Sequence, residues 1–430
     1  MSDPLRIAIA GLGTVGAETV RLIGEQGALI AARCGRPIQI AAVSARDRNK
    51  ARPVDLTGLT WFDDPAAMAA SPGIDAVVEL IGGSDGIAKA TVEAAIGAGR
   101  HVVTANKALL AHHGAALALG AEAAGVALAY EAAVAGGIPI VKALREGLAA
   151  NRVTRVYGVL NGTCNYILTT MRETGRDFDG VLAEAQELGY AEADPGFDID
   201  GIDTAHKLAI LTALAFGCVI DFAGVHIEGI RAVSALDIAN AEELGYRIKL
   251  LGIASRGEGG VEQRVHPCLV AKDTPIAAVE GAFNGVVAEG DFVGTYMAEG
   301  AGAGAGPTAS AVVADLMDIA RGAVLPAFGV PAGSLARLAT LPIERHRGSH
   351  YIRLMVLDQP GVIADIAAAL RDEAISVEAM FQHGRAPDEM VPVVITTHDT
   401  EDAAMTRALA RIGALEAVVE PPMRIRIEAL

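Results

Sequence analysis

Arg6-Ile7-Ala8-Ile9-Ala10-Gly11-Leu12-Gly13-Thr14-Val15-Gly16 decides the fold. A short buried-strand pattern runs into G-x-G-x-x-G, and the helical stretch Ala17–Glu25 follows. Glycines in this setting permit a tight turn and let the backbone approach a pyrophosphate, which then sits on the positive helix N-terminus. The motif alone is weak evidence; between a strand and a helix it reads as a dinucleotide site. Gly11, Gly13, Thr14, Val15 and Gly16 are therefore the first candidate cofactor contacts.

Working outward, the next strand is Ile38–Val43. NAD sites usually carry Asp or Glu at its end, for the ribose 2′-hydroxyl. Here Ser44-Ala45-Arg46-Asp47-Arg48 follows. Arg46 can hold a 2′-phosphate, which favours NADP. A register one residue later would make Asp47 the carboxylate of an NAD site, so NAD stays open. Ile74–Ile81 is a third strand, and Gly82-Gly83 then lets the backbone pass under a cofactor or simply turns. His101–Val103 leads into Thr104-Ala105-Asn106-Lys107. A lysine just past a strand's carboxyl end faces the ligand crevice of such sheets, although a lone surface lysine fits equally. His112 and His113 fall on a solvated helical face.

The totals limit the function. The 430 residues allow two or three domains, and the net charge is −17 with no basic cluster. That argues against a nucleic-acid or anionic-membrane partner. The longest apolar run, Leu208–Ile220, has 13 residues, too few to span a bilayer. No leader pattern precedes the first strand, and Cys34, Cys164, Cys218 and Cys268 lack metal spacing. A cytoplasmic protein with reduced thiols is the expectation.

The middle of the chain holds the chemistry. Val126–Tyr130 is a strand, and Glu131–Ile140 then reads EAAVAGGIPI. Glycines and Pro139 free several carbonyls, which with Glu131 make an oxygen cage for a hard cation. The competing reading is a glycine turn with Glu131 capping a helix over Ile140–Leu148. Strand Arg155–Leu160 precedes Asn161-Gly162-Thr163-Cys164-Asn165-Tyr166, which opens a helix. No histidine stands near Cys164 in sequence, so a nucleophile is not expected there. Ala185–Lys207, AQELGYAEADPGFDIDGIDTAHK, gathers acidic residues around one lysine. Asp203 and Lys207 share a helix face at the mouth of the apolar Leu208–Ile220, as a working pair or as an ordinary ion pair.

LGYAEADP, Asp198-Ile199-Asp200-Gly201-Ile202-Asp203 and Lys207 together closely resemble the signature of homoserine dehydrogenases. TANKALLA (104–111) and NGTCNYIL (161–168) resemble further segments of that family, in the family order. Ser84-Asp85-Gly86 departs from a proline-containing segment that the family often has there. The resemblance implies NAD(P)-dependent interconversion of L-homoserine and L-aspartate 4-semialdehyde, on the route to threonine, methionine and isoleucine. It implies that Lys107 and Thr104 reach the cofactor side and that Thr163 lies where substrate meets nicotinamide. Glu192 binds the substrate ammonium with support from Asp198, while Asp203, Lys207 and Lys107 handle the proton. Which lysine carries that proton stays open. It further implies a Na⁺ or K⁺ ion on Glu131 and the carbonyls of Val134, Gly136 and Ile138. The glycine-rich GAGAGAG of residues 300–306 then returns to the cofactor at Gly306, ahead of a helix over Pro307–Arg321.

The expected fold is α/β: a Rossmann-type dinucleotide domain (1–135 and 301–340) and an α+β substrate and dimerisation domain (136–300). A linker over Pro331–Gly348 leads to a C-terminal βαββαβ module (349–430). DQPGVIA at Asp358–Ala364 makes that module similar to an ACT domain, where Gly361 amides could take an effector carboxylate, threonine by the resemblance. A purely dimerising module is the alternative. Gly384–Met390 carries no readable pattern. The assembly implied is a homodimer or homotetramer, and ending the chain near Gly348 is expected to spare activity. The rival functions are a related reductase of another four-carbon amino or hydroxy acid and a non-catalytic sensor. Retained proton-transfer groups argue against the sensor.

Overall fold

Up to Tyr130, short apolar runs alternate with amphipathic ones, and the chain folds as parallel strands joined by helices. The computed structural model describes residues 3–382 and 389–430; positions 384–388 of the patternless stretch lie outside the described residues. The elements are β1 (Leu5–Ala10), α1 (Thr14–Cys34), β2 (Ile38–Ser44), β3 (Thr60–Phe62), α2 (Pro65–Ala69), β4 (Ala76–Glu79), α3 (Ile87–Gly97), β5 (His101–Thr104), α4 (Lys107–Ala124) and β6 (Leu128–Ala129). Their order in the sheet is β3-β2-β1-β4-β5-β6, which reverses at β1 and opens a crevice over the strand ends. Ile7 and Ile9 enter one core and Ala8 and Ala10 the other, so both faces of β1 are buried. Gly11 has φ 102°, and a Cβ there would lie 2.4 Å from the Leu80 carbonyl oxygen. At Gly16 it would lie 2.0 Å from the Gly11 oxygen, whereas nothing stands within 4 Å of Gly13. Two glycines thus close the turn, and the third leaves space. α1 runs past the expected end at Glu25 until Gly35 turns left-handed and bonds the Ala31 carbonyl.

The second half of the chain builds around a larger sheet. It contains α5 (Ile140–Lys142, continued by a π-turn over Ala143–Gly147), β7 (Val153–Val159), α6 (Gly162–Thr174), α7 (Phe178–Glu187), α8 (Gly196–Ile199), α9 (Ile202–Phe216), β8 (His226–Ile227) and α10 (Ala235–Glu243). Next come β9 (Tyr246–Gly257), β10 (Gly260–Ala271), β11 (Phe283–Gly290), β12 (Gly294–Ala301) and α11 (Ala305–Ala320). α9 stops at Phe216, short of the expected Ile220, because Gly217 adopts the left-handed cap. α11 returns to the first domain, where its Val312 and Leu316 share a core with Ile23 and Ile30 of α1.

The tail comprises β13 (Arg347–Leu357), α12 (Val362–Asp372), β14 (Val377–Gln382), β15 (Met390–Thr397), β16 (Thr400–Glu401), α13 (Asp402–Ile412) and β17 (Met423–Glu428). Its sheet is continuous with the middle one, in the order β12-β11-β7-β9-β10-β17-β13-β15-β14. β17 pairs in parallel with β10, Leu269 opposite Ile427. The expected linker is also tied down: the Ala336 amide donates to Gly217 and the Leu341 amide to Val261. Ending the chain near Gly348 would therefore bare the edge of β10.

Charges lock this junction. Arg426, 2% exposed, donates to Asp402 (2.8 Å) and to Glu228 (3.0 and 3.1 Å). Burial works against ionising those carboxylates, yet His226 and Arg426 hold Glu228, and His350 and Arg426 hold Asp402, well below the usual range. Arg426→Met should destabilise the protein by about 3–5 kcal/mol, because both carboxylates lose their buried partner. Urea unfolding followed by circular dichroism measures it, and an unchanged midpoint would show the network to be neutral.

Candidate active site

Asp203 is the buried centre of the site. It lies in the first turn of α9 at 3% exposure, one turn before Lys207. Lys207 Nζ donates to Asp203 Oδ2 at 2.7 Å and to the Leu160 carbonyl, at the end of β7, also at 2.7 Å. Lys107, at the start of α4 in the other domain, places its Nζ 3.0 Å from Asp203 Oδ1. Asn161 caps α6 through Oδ1, while its Nδ2 donates to both Asp203 (2.8 Å) and Asp198 (2.7 Å). Burial alone would raise the pKa of Asp203, but Lys207 and Lys107 outweigh it and hold the carboxyl well below its ordinary range. Lys207 moves down from an ordinary lysine: burial dominates, Asp203 opposes, and the charge of Lys107 adds to the fall. Asp198 moves up, chiefly through burial. A buried amine with a depressed pKa beside an ionised carboxylate can accept and return a proton.

The dinucleotide crevice lies beside this cluster. No side chain caps the first turn of α1 at Thr14, Val15 and Gly16, so its amides remain available to phosphate. Gly306, in the first turn of α11, approaches Glu18 of α1, a Cβ there lying 3.8 Å from Glu18 Oε1. Thr104 is fully buried; its hydroxyl donates to Glu79 at 2.5 Å and accepts from the Asn106 amide at 3.0 Å. Its side chain is thus engaged in the framework, and only its main chain is open to a cofactor. Glu79 also takes the amides of Ile81 and Gly82 and so shapes the loop after β4. Arg46 is exposed past β2. Asp47 Oδ1 accepts from the Asn49 amide at 2.8 Å, closing a local turn. Arg48 and Arg52 both lie over the Trp61 ring, at 5.7 and 5.6 Å, and Arg52 Nε reaches the Leu12 carbonyl at 3.2 Å.

Glu131 follows β6 and is 2% exposed. Its two oxygens accept the Val141 and Lys142 amides, both at 2.8 Å, so it caps α5. Burial, reinforced by Asp315, raises its pKa to about 7. The chain then turns through Ala135 (φ 55°) and Gly136 (φ 45°) on its way to Ile138. A non-glycine residue held at positive φ stores strain, and such sites are over-represented at functional loops. The Ile138 carbonyl already accepts from Ile140 at 2.8 Å; Val134 lies just before the turn. An all-oxygen loop beside a carboxyl raised by burial and a like charge fits a hard cation, which would relieve that charge.

The remaining expected residues are placed unevenly. Glu192 is exposed, and its carboxylate has no hydrogen bond or ion pair among the described residues. Thr163 donates its hydroxyl to the Tyr190 carbonyl at 2.7 Å, anchoring the loop that carries Glu192. Cys164 is fully buried, with its thiol raised by burial, and is inert as a nucleophile. His112 is exposed, as expected, while standing edge-on to His206 and Phe222; His113 is half-buried and pairs with Asp85 at 2.9 Å. Sequence reasoning missed Asn161 as the bridge between two carboxylates, Glu79, Arg52, and Asn284, which donates to the Leu160 carbonyl at 3.0 Å. Of these only Asn161, at a helix start, carried any local signal.

With this geometry in view, residues 11–131 match the family model for the homoserine dehydrogenase NAD-binding domain, residues 139–317 that for homoserine dehydrogenase, and residues 350–414 that for the ACT domain. A homoserine dehydrogenase of Pseudomonas aeruginosa is 46% identical, over 99% of each chain. Another, of Neisseria gonorrhoeae, is 45% identical over 99% of each. The crystal structure of a homoserine dehydrogenase from Thiobacillus denitrificans superposes with TM-score 0.93 at 48% identity, covering 99% of this chain and 98% of that one.

Gly302 supplies a test of the architecture. A Cβ there would fall 2.0 Å from the Asn284 side chain, whose amide holds the same carbonyl as Lys207. Gly302→Ala should lower turnover by about 10-fold or more through displacement of Leu160 and Lys207, since small misplacements are costly in catalysis. Steady-state kinetics measures it, and native turnover would show that Asn284 is dispensable.

Proposed function

The chain belongs to the homoserine dehydrogenase family and is an NAD(P)-dependent oxidoreductase acting on a CH–OH group, interconverting L-homoserine and L-aspartate 4-semialdehyde; we propose that Lys207, Asp203 and Lys107 manage the proton of that reaction. The observation that carries this reading is one buried carboxylate, Asp203, held between two lysine nitrogens at 2.7 and 3.0 Å. A nicotinamide cofactor, once bound, would supply the hydride chemistry. In the oxidation, hydride leaves the carbinol carbon only as the hydroxyl proton is accepted. Lys207 in its amine form accepts it; the ammonium returns it to the aldehyde oxygen in the reverse direction. Asp203 orients Lys207, and burial, with the charge of Lys107 added, keeps its pKa down. Glu192, with no internal partner among the described residues, is available to the substrate ammonium, with Asp198 behind it. Thr163 sets that loop.

For the cofactor, we favour NADP. The end of β2 presents Arg46 with Arg48 and Arg52 nearby, whereas the Asp47 carboxylate is taken by its own turn. Gly11, Gly13, Thr14, Val15, Gly16 and Gly306 would hold the pyrophosphate, with Thr104 and Lys107 toward the nicotinamide. Glu131 with the carbonyls of Val134, Gly136 and Ile138 would take a monovalent cation. A homodimer or homotetramer is supported by the exposed Phe283, Phe292 and Val293 beside β11 and β12. No described helix is long and apolar enough to cross a membrane. Four free, buried cysteines favour a reducing, cytoplasmic setting. The C-terminal ACT domain is an amino-acid effector module. Threonine is our candidate, its carboxylate at the N-terminus of α12 beside Gly361.

Two measurements test these readings. Lys207→Ala or Asp203→Ala should lower NADPH oxidation with aspartate semialdehyde by roughly 10²–10⁴, the worth of a positioned acid or base, with cofactor affinity little changed. Native turnover in either variant would make the pair structural. Threonine titrated against the intact enzyme should inhibit, with a coupling of about 1–3 kcal/mol; no response would leave the module to another effector or to assembly.

A further inference from the structure

Phe197 is 44% exposed, an unusual position for a phenyl ring beside a charged site. It sits on the short α8, directly before Asp198. Lys107 Nζ lies 5.5 Å from its ring centroid. The ring also stacks on His206 at 5.6 Å and 28°, and His206 lies flat on Phe222 at 4.3 Å and 4°. His112 meets His206 edge-on at 5.5 Å. Neither nitrogen of His206 has a hydrogen-bond partner among the described residues. Burial, with His112 and Lys107, lowers its pKa to about 4, so it packs as a neutral ring. Phe222, His206 and Phe197 thus form a column that ends beneath an active-site ammonium.

The Lys107 side chain is 32% exposed. Asp203 holds its ammonium from one side and the Phe197 ring from another. An aromatic face attracts a cation and gains nothing comparable from a neutral amine. The charged or titratable neighbours that feel Lys107 are Asp203, Lys207, Asp198 and His206. We propose that Phe197 is a positioning residue whose ring, backed by His206 and Phe222, pins Lys107 as a cation against Asp203, leaving Lys207 alone to move the proton. This rests on the proton-transfer reading above.

The test replaces the ring in the full-length enzyme. Phe197→Leu should lower kcat about 3–30-fold, the range expected for a cation–π contact, with the homoserine KM little changed. A loosened Lys107 depresses Lys207 less, so the pH limb over which homoserine oxidation rises should move upward by about half a unit. Lys107 itself, followed by NMR of ¹³C-methylated lysines and assigned with Lys107→Arg, should lose the ring-current shift it carries in the native enzyme. Phe197→Trp should restore all three. An unchanged limb and an unchanged Lys107 methyl shift in Phe197→Leu would overturn the proposal, even if kcat fell. The Lys107 methyl shift does not depend on turnover, so it judges the ring even if Lys207→Ala sinks the proton-transfer reading.

Discussion

A carboxylate buried at Asp203 constrains everything around it. Left alone in an apolar interior it would be strongly disfavoured as an anion. Lys207 from its own helix, Lys107 from the dinucleotide domain and Asn161 from the start of α6 make it stable in that form. The electrostatic requirement is therefore also an architectural one: the parallel sheet and the larger sheet must meet here with their helix starts converging. Burial, with the charge of Lys107 added, lowers the pKa of Lys207, so the groups that meet at the domain junction also bear on proton transfer.

Two returns of the chain hold that meeting point. The glycine-rich segment before α11 passes so close to Asn284 that a side chain at Gly302 has no space, and Asn284 in turn fixes the carbonyl that Lys207 uses. α11 then packs on α1, and its Asp315 accepts from the Glu131 amide at 2.9 Å. The tail provides the second return. β17 extends the catalytic sheet, and Arg426 joins the ACT helix α13, through Asp402, to Glu228. Beyond Glu228, Gly229 packs on the backbone of Ile199 and Asp200, and Arg231 pairs with Asp200. The ACT domain and the short α8 that bears Asp198 are thus linked through one short segment, Glu228–Arg231.

Local patterns made much of this readable without coordinates. The strand–glycine–helix order at Arg6–Gly16 admits one geometry, because Gly11 and Gly16 are pressed against Leu80 and each other. The i,i+4 spacing of Asp203 and Lys207 specified their contact, and the long motif around them specified the family. The apolar period marked β1, β2, β4, β5, β6, β7 and the outline of the tail, but not the short β3, β8 and β16, nor the eight-residue β11 and β12. Boundaries slipped where a single glycine decides, as at Gly217 after α9 and Gly35 after α1.

By itself, then, the sequence determined the dinucleotide fold, the family and the acidic–lysine pair, because each is written in contacts between residues near one another in the chain. Tertiary structure alone decided that Lys107 completes the pair across a domain boundary, and that Asn161 bridges two carboxylates. It alone spent the hydroxyls of Thr104 and Thr163 on framework bonds, brought Phe197 beneath an ammonium, and made the tail part of the catalytic sheet. Those facts depend on residues tens to hundreds of positions apart. Burial sets their charge and direction, and no local period records what a side chain will meet once the core has closed.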